Sequence, residues 1–349
     1  MTRVRRAART TFHSLRYRNF RVFFVGQAIS QTGTWLQLIA QSLLVLKLKD
    51  SGIALGLLVV FQFLPVLVIG PWAGVLADRF DRRRTMLITQ TVMMVQAAAF
   101  AVLVLTGAIT LPIVFALALV TGIANAIDTT ARRVIVTELV DGPDLPNAIG
   151  LNSMLMTSSR LVGPALAGLT IVTVGIGWCF ALNAVSFVAV LFALVRLDMP
   201  PAAKRVVAST SAGRQLVDGL RYVWADPDLR IAMSLMAVVS TLAFNWQVVL
   251  PLFAIKSLDG NATTYTVLTS ILSVGSLVGA VAVAHRQRTS VPLLIGSAAA
   301  FGASTLVLAA MPTLITAIPA AIVAGGTGIF FLSSTSTFVQ TNCEPAMIG

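Results

Sequence analysis

Residues 70–87 read GPWAGVLADRFDRRRTML and join two apolar runs through a handful of charges. The first run ends at Asp78. Arg79, Asp81, Arg82, Arg83 and Arg84 follow, and a second apolar run opens at Met86. Each run is long enough to cross a bilayer. A turn this short and this basic between them reads as a cytoplasmic loop joining two transmembrane helices. Few folds accommodate such a loop, and the remaining segments can be oriented from it.

Composition agrees. Only 11% of the 349 residues are charged, against roughly 25% in soluble domains, and 57% are hydrophobic. The net charge of +12 would suit a nucleic-acid binder, but its distribution excludes that class. Arg3, Arg5, Arg6, Arg9, Arg16, Arg18 and Arg21 precede the first apolar run. Of the other Lys and Arg, all but Lys47, Lys49, Lys256 and Arg160 fall in alternate loops. That alternation is the positive-inside pattern and puts the N-terminus in the cytoplasm of a multi-pass inner-membrane protein.

Ten apolar segments are expected, at about 20–46, 53–77, 85–105, 111–132, 148–174, 178–195, 231–253, 265–284, 291–311 and 314–338. They divide into a basic tail (1–21), a six-helix bundle (22–196), a cytoplasmic linker (197–230) and a second bundle of four helices (231–349). Within the linker, 215–224 is amphipathic: Leu216, Leu220, Val223 and Trp224 oppose Arg214, Asp218 and Arg221, as in an interfacial helix.

In segment 1, Gln27, Gln31, Thr34 and Gln41 fall on one helical stripe. The stripe is either polar glue between packed helices or the wall of a water-filled cavity, and three glutamines favour the cavity. No Cys, His, Asp or Glu cluster has ligand spacing, so neither a metal nor a cofactor is expected; Cys179 and Cys343 suggest no disulfide. No phosphate-binding loop and no nucleophile–base pattern stands out, which argues against an ATPase or an enzyme.

Six helices, a long cytoplasmic linker and further helices resemble the major facilitator superfamily. Gly74, Leu76, Asp78, Arg79, Arg82 and Arg83 match its loop 2–3 signature, G-x-L-x-D-R-x-x-R-R, with Asp81 where many members have Gly. RNFRVFFVGQAISQTGTWLQLIAQ, LPNAIGLNSM and CFALNAVSFVAVL are similar to the branch of the enterobactin exporter and macrolide-efflux permeases. Gly163, Pro164 and Gly168 match the superfamily's exporter motif, with Ala167 in place of a usual Gly. Thr130 replaces a Pro expected near Asp128, Arg132 and Arg133. Gly275-Ser276-Leu277-Val278-Gly279-Ala280, followed by His285 to Arg288, is a degraded copy of the loop 2–3 stretch, as an internal duplication implies.

The resemblance implies a secondary transporter that moves a mid-sized organic molecule, a drug or siderophore, outward by alternating access, with protons as the coupling ion and a monomer as the working unit. It implies a cavity lined by helices 1, 4, 5, 7, 8 and 10, and a contact from Asp78 to helix 11. Members carry twelve helices; 340–349 resembles the loop leading into the eleventh, so a truncated chain is expected over a protein that works with ten helices, and a truncated, non-transporting remnant or scaffold is the alternative to the transporter.

Ionisable residues inside a membrane cost roughly 2.5–3.5 kcal/mol on insertion scales and are functional candidates by default. Arg160, near the middle of segment 5, is expected to face the cavity and hold an anionic group. Asp128 is the candidate proton-linked carboxylate, with pairing to Arg160 as one arrangement. Gln27, Gln31, Gln41, Asn245 and Gln247, with Trp246, complete the expected lining. Arg79, Arg82 and Arg83 are expected to anchor their loop at the anionic inner surface.

Overall fold

A computed structural model of the chain describes residues 13–79, 81–140, 142–197, 221–284 and 289–343, with side chains throughout except at 71–79 and 284. Its residues gather into two compact units, Met1–Ala208 and Ser209–Gly349. Unit 1 contains α1 (Arg18–Leu48), α2 (Gly52–Arg79), α3 (Arg82–Leu105), α4 (Leu111–Leu139), α5 (Leu145–Thr173) and α6 (Ile176–Arg196). Unit 2 contains α7 (Pro227–Leu242), α8 (Trp246–Leu252), a π turn (Phe253–Ser257), α9 (Ala262–Ala284), α10 (Val291–Ala309) and α11 (Leu314–Asn342). Among the described residues there is no strand.

Local chemistry sets the ends. Asp81 caps α3, its Oδ1 accepting from Arg84 N at 2.7 Å. Asp226 caps α7, its Oδ1 accepting from Asp228 N at 2.8 Å and Leu229 N at 3.1 Å. Each cap satisfies backbone donors that a helix start leaves without partners. Proline in the first turn starts α4, α5, α7 and α10, where its missing N–H costs nothing. Gly175 turns α5 into α6 at φ +98°, a conformation that side chains disfavour.

Nine helical stretches among the described residues are long and apolar enough to cross a membrane. The helix α1, expected as a tenth, is not among them. Its glutamines, serines and threonines lower its hydropathy, and the structure shows where they go. Gln27, Ser30, Gln31, Gln37, Gln41 and Ser42 are all buried. Outward positions on other helices are apolar instead: Leu67, Val172, Val185, Leu306 and Ile315 are each more than two-thirds exposed. Polar groups inside and aliphatic groups outside is the arrangement that a lipid solvent selects.

Segment 7, expected as one continuous helix, is broken. It stops at Leu242, crosses Ala243 to Asn245 without regular structure, and restarts as α8. Asn245 Nδ2 donates to Thr241 O across the break at 2.6 Å. Pro251 in α8, which has no N–H to give, is followed by the π turn. Of the expected amphipathic segment, 215–220 lies outside the described residues. Residues 221–225 are helical; Tyr222 and Val223 pack near Leu229, Ala232, Leu294 and Phe338, while Trp224 is exposed.

Candidate functional site

The charged loop works as a clasp within unit 1. Arg82 is turned inward, 6% exposed, and pairs with Glu138 near the end of α4. Arg83 Nε and Nη2 donate to Leu194 O at 2.7 Å and Val195 O at 2.6 Å, the last carbonyls of α6. A cation there meets the negative end of the helix dipole. Arg82 therefore does not anchor at a lipid surface as expected: Glu138 offers it a localised opposite charge, which outcompetes a diffuse surface field. Glu138 was not singled out from the sequence, because spacing along the chain carries no sign of a partner 56 residues away. Gly74, Asp78 and Arg79 lie in the last turns of α2, but their side chains fall outside those described. His285 to Arg288 lie outside the described residues as well.

Farther along α4, Asp128 is fully buried. Its carboxylate accepts from Thr89 Oγ1 at 2.8 Å, from Gln90 Nε2 at 2.9 Å and from Arg132 Nε at 3.2 Å, and it also meets Arg132 Nη2. Gln31, with its carbonyl oxygen turned toward the guanidinium, accepts from Arg132 Nη2 at 3.1 Å and from Nη1. The expected pairing of Asp128 with Arg160 is thus replaced by a pairing with Arg132. Residues four apart on a helix lie on one face, so Arg132 reaches the carboxylate without crossing between helices. One buried polar assembly then links α1, α3 and α4.

The other glutamines of the stripe also point into unit 1. Gln41 Oε1 accepts from Gln62 Nε2 at 2.6 Å, which ties α1 to α2. Gln27 is fully buried, and neither of its amide atoms has a hydrogen-bond partner among the described residues. Gln37, off the expected list, is a hub: it accepts from Asn183 Nδ2 at 2.8 Å and donates to Gln96 Oε1 at 3.2 Å. The polar residues Gln62, Gln96 and Asn183 in otherwise apolar helices were the signal for this network.

Arg160 lies near the middle of α5, exposed, with its guanidinium carbon 5.2 Å from the centre of the Trp35 ring on α1. One turn on, Gly163 and Pro164 are buried, as is Gly168. A Cβ at Gly163 would run into Trp35 Cβ and would stand 3.1 Å from Thr32 O. The glycine therefore permits the closest approach of α5 to α1 beside Trp35.

In unit 2, Asn245 is exposed at the start of α8, and Gln247 is partly buried, its Oε1 without a hydrogen-bond partner among the described residues. Trp246 and Phe244 pack against Phe301 of α10, with ring centroids 6.1 and 4.9 Å away. A pocket of about 320 Å³ lies between α10 and α11, lined by Pro292, Gly296, Ser297, Ala300, Thr327 and Phe330 among others. Among the described residues no His, Cys, Asp and Glu cluster could hold a metal.

Residues 9–348 match the family model described as transmembrane secretion effector. The staphyloferrin A transporter of Staphylococcus aureus is 23% identical over 259 residues, which cover 73% of this chain and 64% of that protein. The multidrug efflux pump Tap of Mycolicibacterium fortuitum is 28% identical over 81% of this chain and 71% of its own length. The enterobactin exporter EntS of Shigella flexneri is 23% identical over 95% of this chain and 78% of its own length. Among solved structures, a bacterial homologue of the human lysosomal transporter Spinster aligns with a TM-score of 0.69 at 16% identity, covering 94% of this chain and 75% of that one. The fold is that of the major facilitator superfamily, and the chain belongs to the transmembrane secretion effector family, a family of multi-pass membrane transporters rather than enzymes.

Proposed function

We propose that this chain is a proton-coupled exporter, acting as a monomer, that moves a mid-sized organic molecule of siderophore or drug type across the bacterial inner membrane by alternating access. Arg160 is the observation that carries the reading. A guanidinium in the middle of a membrane-spanning helix is too costly to point into lipid. An exposed arginine at that depth thus faces water, and a water-filled path halfway through a bilayer is what a transporter needs. The names of the relatives supply the substrate classes, and the cation distribution supplies a cytoplasmic N-terminus and α2–α3 loop.

Asp128 is the proton carrier in this reading. Four donors converge on the carboxylate while the cluster is closed, two of them from the Arg132 guanidinium. Proton uptake then requires Arg132 to withdraw, which ties protonation to a shift of α4 against α1 and α3. The broken α7–α8 helix fits the same reading, because discontinuous helices supply polar backbone at transporter binding sites.

The test is transport by the purified full chain in proteoliposomes under an imposed pH gradient, with a panel of siderophores and drugs. Gradient-driven movement of at least one compound in the outward sense is expected, and collapse of the gradient should stop it. Movement of no compound, inward movement, or gradient-independent movement would contradict the proposal.

A further inference from the structure

We infer that Arg84 and Arg196 form a site for the phosphate of an anionic phospholipid, where α3 starts and α6 ends. The site rests on the membrane-spanning fold and is independent of export. Arg83 brings the two arginines together. Its guanidinium donates to Leu194 O and Val195 O, so the residue before Arg84 is fastened to the residue before Arg196. Both arginines are exposed, and neither guanidinium has an ion pair or hydrogen bond among the described residues. Each stands at the end of a stretch long and apolar enough to cross a membrane, the depth at which lipid headgroups lie.

Each arginine also heads an apolar stripe. Arg84, Ile88 and Val92 follow at four-residue spacing on α3, as Val188, Phe192 and Arg196 do on α6, so each set runs along one helix face. All four apolar side chains are exposed. Two outward apolar stripes that end in cations at neighbouring points match a phospholipid, with acyl chains along the stripes and the headgroup at the arginines. The Arg196 guanidinium carbon lies 4.6 Å from the centre of the Phe192 ring, a contact that steadies the cation through the ring face. Its N–H donors form a fork that fits two phosphate oxygens. Asp81 turns its Oδ1 to Arg84 N and so directs its charge at the helix start. Phosphatidylglycerol brings only the charge of its phosphate, whereas phosphatidylcholine carries a cation of its own to the arginines, so the anionic lipid is the better ligand.

Native mass spectrometry of the purified full chain tests this with phosphatidylglycerol and phosphatidylcholine of identical dioleoyl chains. Wild type should retain phosphatidylglycerol in preference, with about fivefold of that preference from each arginine. Arg84→Gln and Arg196→Gln should each lose that factor, and Arg196→Lys should keep part of it. Phe192→Leu should lose less than Arg196→Gln does. Arg230→Gln, which removes an exposed cation from α7 of unit 2, should leave the preference unchanged. The variants are compared in protein whose melting temperature matches wild type. Equal retention of the two lipids by wild type, or the same loss from Arg230→Gln as from Arg196→Gln, would overturn the site. So would displacement of the lipid by inorganic phosphate, which would make the site one for a free anion, and a dimer that excludes lipid, which would give the face to a second copy.

Discussion

The helices α4 of unit 1 and α11 of unit 2 are fastened to their neighbours by different physics. In unit 1, Gly122 of α4 comes close to the carbonyls of Phe61 and Gln62, a single close approach. The polar contacts of α4 run to α3 instead, from Thr89 and Gln90 to Asp128, which also pairs with Arg132 on its own helix, and from Arg82 to Glu138. In unit 2, Gly275, Gly279 and Gly325 bring α9 and α11 together so closely that a Cβ on any of them would strike the opposite backbone. Ser276 Oγ adds a hydrogen bond to Gly325 O at 3.3 Å. Charge-assisted contacts in a low dielectric are made or broken in discrete steps and respond to protonation. Backbone contacts through glycine respond only to volume. Unit 1 thus holds α4 through buried charge-assisted contacts, and unit 2 holds α11 through a steric seam.

The largest expected effect breaks the polar side of that contrast. Asp128→Ala strands Arg132 in a buried site and should cost about 3–5 kcal/mol. Denaturant titration of the purified protein in detergent should show it, and the double variant Asp128→Leu with Arg132→Met should recover most of the loss. A single variant that melts like wild type would remove the ion pair from the account. Next comes the steric side. Gly279→Ala places a methyl against Gly326 O and should cost about 1–3 kcal/mol by overpacking, equally at pH 5 and pH 8; a pH-dependent loss would contradict a purely steric seam.

Smaller effects sharpen the clasp of the charged loop. Arg83→Ala removes two hydrogen bonds to the last carbonyls of α6 and should cost about 1–2 kcal/mol. Hydrogen exchange should rise at the end of α6 and not at the end of α10. Asp81→Ala removes the cap of α3 and should cost about 1 kcal/mol. The exchange change should then be confined to the first turn of α3.

The helices themselves were legible because apolar runs of bilayer length leave the chain few alternatives. Partners were not. The sequence shows Asp128, Arg132 and Gln31 as polar residues in apolar helices, but only the packing of α1 on α4 brings Gln31 to the guanidinium. Arg132 is near in sequence and could have been chosen over Arg160 from the four-residue spacing alone. Glu138 could not, since Arg82 reaches it only through the packing of α3 on α4. The break before α8 left a faint mark, the polar and aromatic cluster Phe244, Asn245, Trp246 and Gln247 inside an otherwise apolar segment. Hydropathy averages over such a cluster, so the segment passed as continuous. In α1 the reverse happened: polar content lowered its hydropathy because those residues turn toward other helices rather than lipid.

The central claim is that Arg160 faces water in the middle of a membrane-spanning helix. Arg160→Cys in a chain with Cys179 and Cys343 replaced by alanine tests it, since methanethiosulfonate reagents react with thiolates, which form only where water reaches. A charged, membrane-impermeant methanethiosulfonate should modify the cysteine in proteoliposomes as fully as a small neutral one does, and a cysteine at Val162, on the exposed apolar face, should resist it. Reaction at position 160 with the neutral, lipid-soluble reagent alone would put Arg160 against lipid and contradict the account.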